Sequence, residues 1–252
     1  MIKNKLTLFI FGLFSLLIYS VSQAAPFNSS TVKAEINKGM SEANVKQRYV
    51  YDVFYKKTSI GKMELKYDWE GKDITANSSA NFSFLFFSFS GSQASNIYWD
   101  DQQELFLTRS FLRKSSGFSK VKMTANFDET GHNTKIVNNG KKSEYTKISP
   151  IIDFNTINLQ ISDGLKKNKT EFEFYMQTSK NIAHYYFKVN GKEVIQTKFG
   201  DVEAYRVEQI KKKDRTFIAW FAPDFEFQMV KFHYERKVLD IRGELIEHNS
   251  TK

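Results

Sequence analysis

The sequence predicts a mainly β protein: a single curved antiparallel sheet or open β-barrel packed around one helix. Three observations carry that expectation. From Tyr186 to Leu245, short alternating segments are punctuated by Asn190-Gly191, Gly200-Asp201 and Pro223-Asp224, the pattern of an antiparallel meander. After Ser149-Pro150 the apolar residues recur instead at helical spacing, with a start and a stop signal. No internal repeat, low-complexity tract or Pro/Gly/Ser-rich linker divides the chain.

The first residues read as an address. Lys3 and Lys5 precede an apolar run from Leu6 to Tyr19, and Ser22 and Ala24 are small residues of the kind a signal peptidase accepts. Residues 1–24 are expected to be a signal peptide cut after Ala24, because a cut after Ala25 would place Pro26 just past the scissile bond. A run of about 14 residues is short against the roughly 20 that span a bilayer. No second run of that length follows, and there is no Cys to accept lipid. The expectation is a periplasmic protein with no transmembrane span after cleavage, and the lack of Cys suits a fold that does not depend on disulfides. About 228 residues then remain, enough for one β-rich domain with a sizeable core.

The chain carries 37 Lys+Arg against 28 Asp+Glu; without Lys3 and Lys5 the net charge is +7. That excess is compatible with anionic surfaces such as lipid headgroups. It is also interleaved with Asp and Glu, as on an ordinary solvated face. In the expected compartment nucleic acid is not a partner.

Residues 25–47 form a lead-in in which Val32, Ile36, Met40 and Ala43 follow helical spacing, weakened by Gly39. They are read as a marginal helix or a mobile segment. The single β-rich domain covers 48–248. Tyr49, Tyr51, Val53 and Tyr55 alternate with more polar neighbours, and Met63, Leu65, Tyr67 and Trp69 share the face of a second strand after Ile60-Gly61. In Ala80–Gly91, read as one strand, Phe82, Phe84 and Phe86 fall on one face and Leu85, Phe87 and Phe89 on the other. Two readings stand for it: a strand covered on both sides, or an exposed apolar edge or loop that meets lipid or a hydrophobic ligand. Asn96–Trp99, Leu105–Leu112 and Lys120–Phe127 read as further strands, with turns at Thr130-Gly131 and Asn139-Gly140.

In the helix, Ile151, Phe154, Ile157, Ile161 and Leu165 make one apolar stripe, Pro150 suits its first position and Gly164 its end. Such a stripe needs a sheet to lie against. Strands return over Thr170–Thr178 and over Ile182–Val189, which turns at Asn190-Gly191 into Lys192–Lys198. Val202–Ile210, Arg215–Ala222, Gln228–Lys237 and Asp240–Glu247 complete the meander.

Chemistry-bearing patterns are scarce. Without Cys there is no thiol chemistry, and the four His show no short metal-ligand spacing. No nucleophile elbow, Walker loop or dinucleotide fingerprint occurs. No catalytic residue, metal or cofactor is expected. Asp100-Asp101 and Asp128-Glu129 fall where turns favour Asp. Trp220 reads as core or as cavity lining, and Asp224 as a turn residue.

The C-terminal stretch resembles the DUF3108 family of exported bacterial proteins. Gly191, Thr197, Gly200, Ala204 and the segment Trp220, Ala222, Pro223, Asp224 carry the likeness, with Tyr51, Ile60-Gly61 and Ile152-Asp153 fitting its earlier parts, over about residues 48–247. One departure is Gln228-Met229-Val230, where members often have Pro. The resemblance implies a β-rich envelope protein and supplies no substrate. A curved sheet around one helix is also similar to periplasmic lipoprotein carriers, an analogy of fold alone.

Three functional readings follow. The leading one is a non-enzymatic envelope protein holding an apolar or amphipathic ligand, such as a lipid, in an aromatic-rich concavity. Phe84, Phe86, Phe87, Trp99 and Trp220 are its candidate ligand-binding residues, motivated by 24 Phe and 12 Tyr in a chain without catalytic motifs. The second is an assembly factor acting through an envelope protein partner. The third is an envelope hydrolase using inward carboxylates as acid and base.

Overall fold

The structure, a computed structural model, describes residues 44–84, 87–117 and 120–251. The expected signal peptide and most of the lead-in lie outside the described residues. Val45, Lys46 and Gln47 already belong to the first strand, so the helical spacing read up to Lys46 gives way to extended chain there.

The first eight strands are β1 (Val45–Tyr55), β2 (Thr58–Glu70), β3 (Asp73–Phe84), β4 (Phe87–Asp100), β5 (Leu105–Ser116), β6 (Val121–Phe127), β7 (Asn133–Asn138) and β8 (Lys141–Thr146). A two-residue strand β9 (Ile151–Ile152) leads into the helix α1 (Phe154–Lys166). Then come β10 (Glu171–Gln177), β11 (Ile182–Thr197), β12 (Gly200–Ile210), β13 (Thr216–Ala222), a 3-10 turn (Pro223–Phe225), β14 (Gln228–Arg236) and β15 (Leu239–Thr251). All the strands join one open sheet in the order β8-β7-β6-β5-β4-β3-β2-β1-β15-β14-β13-β12-β11-β10-β9. Pairing is antiparallel throughout except β9 with β10. The β1–β15 pair brings the two ends of the domain together at the middle of the sheet.

The outer edges meet without a backbone ladder. Asn138 Nδ2 donates to Ser179 O at 2.9 Å, Tyr145 OH to Lys180 O at 2.6 Å, and buried Thr134 to the Gln177 side chain. Side chains thus draw the open sheet into a barrel-like shape around α1. A strand curled this way keeps one pleat face inside, and the burial alternates accordingly, as in β3 (Ile74, Ala76, Ser78, Ala80, Phe82 inward).

Several local expectations change. Ala80–Gly91 is two strands: Phe84 pairs with Phe87 across a tight hairpin, and Phe82 pairs with Phe89. Direct antiparallel pairing puts Phe82 and Phe89 on the same, inner face, and their rings stack at 5.9 Å. The short strand at Asn96–Trp99 is the end of the 14-residue β4. Asn190-Gly191 is a bulge, because β12 pairs continuously with β11 on both sides of it, and the reversal comes after Thr197. Gly191, at φ 79°, takes the left-handed conformation the bulge needs.

The helix starts later and ends later than expected. Pro150 precedes β9, and Asp153 caps α1. Gly164 lies inside the last turn, where a Cβ would collide with the Phe172 ring, so it serves close packing against β10.

Candidate functional site

The site is built by the way α1 is fixed inside the curl. Asp153 is fully buried; its Oδ1 accepts from Asn155 N at 2.7 Å, Thr156 N at 3.3 Å and Ser95 Oγ at 2.9 Å. Its Oδ2 accepts from Thr108 Oγ1 at 2.8 Å and Thr156 Oγ1 at 3.0 Å. Burial raises the carboxyl pKa, and the hydroxyl and amide donors around it act in the opposite direction. Asn155 extends the network, accepting from Ser78 Oγ at 3.0 Å and donating to Ser95 Oγ at 2.9 Å. Further along, Asn158 Nδ2 donates to Tyr67 OH at 2.9 Å and to Gln228 Oε1 at 3.0 Å. One side of the helix is therefore hydrogen-bonded to β3, β4 and β5. In the sequence Asp153 stood out only through the family resemblance and not as an anchor, although an Asp directly before a helical apolar stripe is an N-cap signal.

The other side of the helix does not close fully on the sheet. A cavity of about 100 Å³ lies between Phe154, Ile157 and Ile161 of α1 and the inner face of the sheet. The sheet side presents Phe187, Phe217, Phe221 and Phe232, and three methionines, Met63, Met176 and Met229, complete the wall. The alternation Phe217-x-Ala219-x-Phe221 aims all three inward from β13. Among so many apolar groups stands Gln209, 8 % exposed, with neither amide atom hydrogen-bonded to a described residue. Its neighbour in β12, Val207, is fully buried, so the parity of the strand places Gln209 inside. Near Tyr185 and Tyr234, Arg215 clasps Asp214 through Nε and Nη2 at 2.9 and 2.8 Å, and Arg236 reaches the same carboxylate at 2.8 Å. Hydrogen bonding from Arg215 holds Asp214 below the usual carboxylate range.

The residues proposed from the sequence are dispersed. Phe84 ends β3, half-buried, with its ring edge-on to Tyr55 at 5.0 Å. Phe87 opens β4 opposite it, and Phe86 lies outside the described residues. Trp99 stands at the far end of β4, edge-on to Phe106 at 5.0 Å and under Lys167 Nζ at 4.4 Å. Trp220 points to the opposite face from Ala219 and Phe221, and its indole donates to Glu193. The structure pairs Phe84 with Phe87 but sets Trp99 and Trp220 apart from them, and Phe84, Trp99 and Trp220 stand outside the cavity lining. Among the described residues the lining holds no carboxyl group, so a hydrolytic acid and base pair finds no support in this cavity. No helix among the described residues is long and apolar enough to cross a membrane.

Comparison with known proteins agrees with this architecture. A family model described as "Protein of unknown function (DUF3108)" matches residues 50–245. No curated protein matches the chain. A solved β-barrel-like protein of domain of unknown function DUF1849 from Brucella abortus is similar, with a TM-score of 0.56 at 9 % identity. The match covers 84 % of this chain and 100 % of that one. At that identity the likeness speaks for the fold alone.

Proposed function

Because the chain belongs to the DUF3108 family, whose description states no function, we propose its role from its own interior: an exported periplasmic protein of the cell envelope that binds an apolar or amphipathic ligand between α1 and the concave sheet. The observation that carries this reading is the aromatic- and methionine-walled cavity beside the helix. Ligand sites are typically concave, mostly apolar and furnished with few polar groups. At about 100 Å³ the space is smaller than the roughly 150 Å³ apolar cavity that admits benzene. It suits the end of a chain rather than a whole lipid. Met63, Met176 and Met229 are the means of enlarging it, since unbranched thioether side chains change rotamer at little expense. The export reading is supported by Lys3, Lys5, the Leu6–Tyr19 run and Ala24.

Native mass spectrometry of the protein taken from the periplasmic fraction tests both parts in one spectrum. The expected polypeptide begins at Ala25 and carries a stoichiometric apolar adduct, extractable into organic solvent and absent from Met229→Trp, which fills the cavity. An empty protein that also fails to take up added decanol would overturn the binding reading.

A further inference from the structure

The inner face of β4 and β5 carries polar side chains that the fold leaves unanswered. Gln93, Arg113 and Ser115 are 3 %, 6 % and 8 % exposed. Gln93 Oε1, Arg113 Nε and Ser115 Oγ have no hydrogen-bond partner among the described residues. Register puts them side by side: Gln93 is directly opposite Arg113, and Ser115 follows two residues on, on the same pleat face.

Arg113 is the exception among the arginines. Arg48, Arg109, Arg206, Arg215, Arg236 and Arg242 each pair with an Asp or Glu. Arg113 has no such partner among the described residues, yet it is nearly sealed from water. Burial pushes its guanidinium down to about 10, which still leaves it protonated at neutral pH. A buried charge without a counter-ion is among the most expensive arrangements a fold can keep. The neighbouring groups do not relieve it: Ser78, opposite Gln93 on β3, is engaged with Asn155.

Ser78 also lines the cavity. With strands about 4.8 Å apart, Arg113 lies two strands, or about 10 Å, across the inner face from that wall. The distance is that of a headgroup from the first segment of its chain. We propose that Gln93, Arg113 and Ser115 form an internal oxyanion site, taking the carboxylate or phosphate end of an amphipathic molecule whose apolar part enters the cavity. The assignment of the tail rests on the binding role proposed above; the anion site itself does not. Arg113 supplies the planar fork that fits either oxyanion, Ser115 a hydroxyl donor, and Gln93 an amide that presents its N–H after a turn of its last torsion.

Calorimetric titration of the purified full chain separates the parts, with decanoate, decanol and inorganic phosphate as probes. Decanoate is expected to bind at least tenfold more tightly than decanol. Arg113→Met abolishes that advantage and leaves decanol binding unchanged, while the thermal midpoint of the free variant stays at or above that of the parent. Ser115→Ala, a milder change, reduces the advantage in the same direction. Arg113-dependent binding of phosphate, with no advantage for decanoate, also supports the site and names a free oxyanion as its occupant. If decanol binds, decanoate gains nothing and phosphate binding is absent or indifferent to Arg113, the anion site is overturned and the cavity reading stands. If decanol does not bind while Arg113-dependent phosphate binding persists, the cavity reading fails and the anion site stands. A fall of about ten degrees or more in the free Arg113→Met protein would assign the guanidinium to the fold itself and overturn the proposal.

Discussion

The two sides of the curled sheet bury the same pleat face and fill it with different chemistry. On β11–β14 the inward positions are Phe187, Phe217, Phe221, Phe232 and Tyr234, with rings in contact from Phe187 to Phe217 at 6.3 Å and from Phe217 to Phe232 at 6.5 Å. On β3–β5 apolar residues such as Ile74, Phe82, Phe89, Ile97 and Phe111 share that face with Ser78, Gln93, Ser95, Arg113 and Ser115. The helix lies between and is shared unequally. Directed hydrogen bonds fix its start to the polar side through Asp153. Its stripe of Ile157 and Ile161 only borders the aromatic side across the cavity. One wall is thus held mainly by direction and the other mainly by contact area, with Asn158 to Gln228 a directed bond on that second side. Contact area tolerates a gap, and the gap is the space on which the binding proposal rests.

That contrast can be broken from either side. Phe232→Ala removes a ring that packs with Tyr51 and Phe217 and should lower unfolding stability by about 3–5 kcal/mol, read by urea denaturation. The same variant should bind decanol at least as well as the parent at temperatures where it stays folded, because it enlarges an apolar space. On the polar side, Asp153→Ala deletes the helix cap and removes the acceptor to which the buried hydroxyls of Ser95 and Thr108 donate. A lost cap contributes about 1 kcal/mol and each unsatisfied buried group about 1–3, so about 2–4 kcal/mol is expected in the same urea assay. If Asp153→Ala proves neutral, the network does not hold the helix and the division into two walls is wrong.

The alternating strands were the legible part. Tyr49 to Tyr55 in β1 and Met123 to Phe127 in β6 alternate with more polar neighbours and announce a strand and a buried face together, whereas Phe217 to Phe221 is apolar at every position and announces a strand without its inner face. Even there, sequence punctuation misled where two signals coincide. Asn190-Gly191 suits a hairpin turn and a bulge alike, and only the pairing of Val189 and Lys192 with β12 decides. The Phe82–Phe89 run carries no Gly or Pro at its reversal, so it reads as one strand and folds as two. The polar wall was hidden because a buried Ser, Gln or Arg looks like surface in a sequence. Parity was the available signal: Arg113 and Ser115 are in phase with buried Phe111, and Gln209 with buried Val207. The candidate site failed to emerge from Phe84, Trp99 and Trp220 for the complementary reason. Aromatic side chains mark burial in general, and these three serve a hairpin end, the far end of β4 and the outer face.

The smallest expected effect is the sharpest test of the cavity's character. Among the described residues Gln209 is the polar side chain of the aromatic wall with both amide atoms unpaired, so its hydrogen-bonding capacity contributes nothing to the free protein. Replacing it with Leu, similar in volume, should leave stability unchanged or raise it by up to about 1 kcal/mol, because an unsatisfied buried amide is exchanged for apolar contact. The neighbouring Phe232 responds in the opposite sense and several times more strongly. A fold optimised only for stability would not keep an amide at this position. Its presence fits the proposed binding role, in which a polar atom of a bound molecule would complete the pairing. If Gln209→Leu instead destabilises the protein by 2 kcal/mol or more in urea, the amide is already bonded within the fold. In that case the aromatic wall is a closed core, and ligand binding has to be sought on the polar side around Arg113.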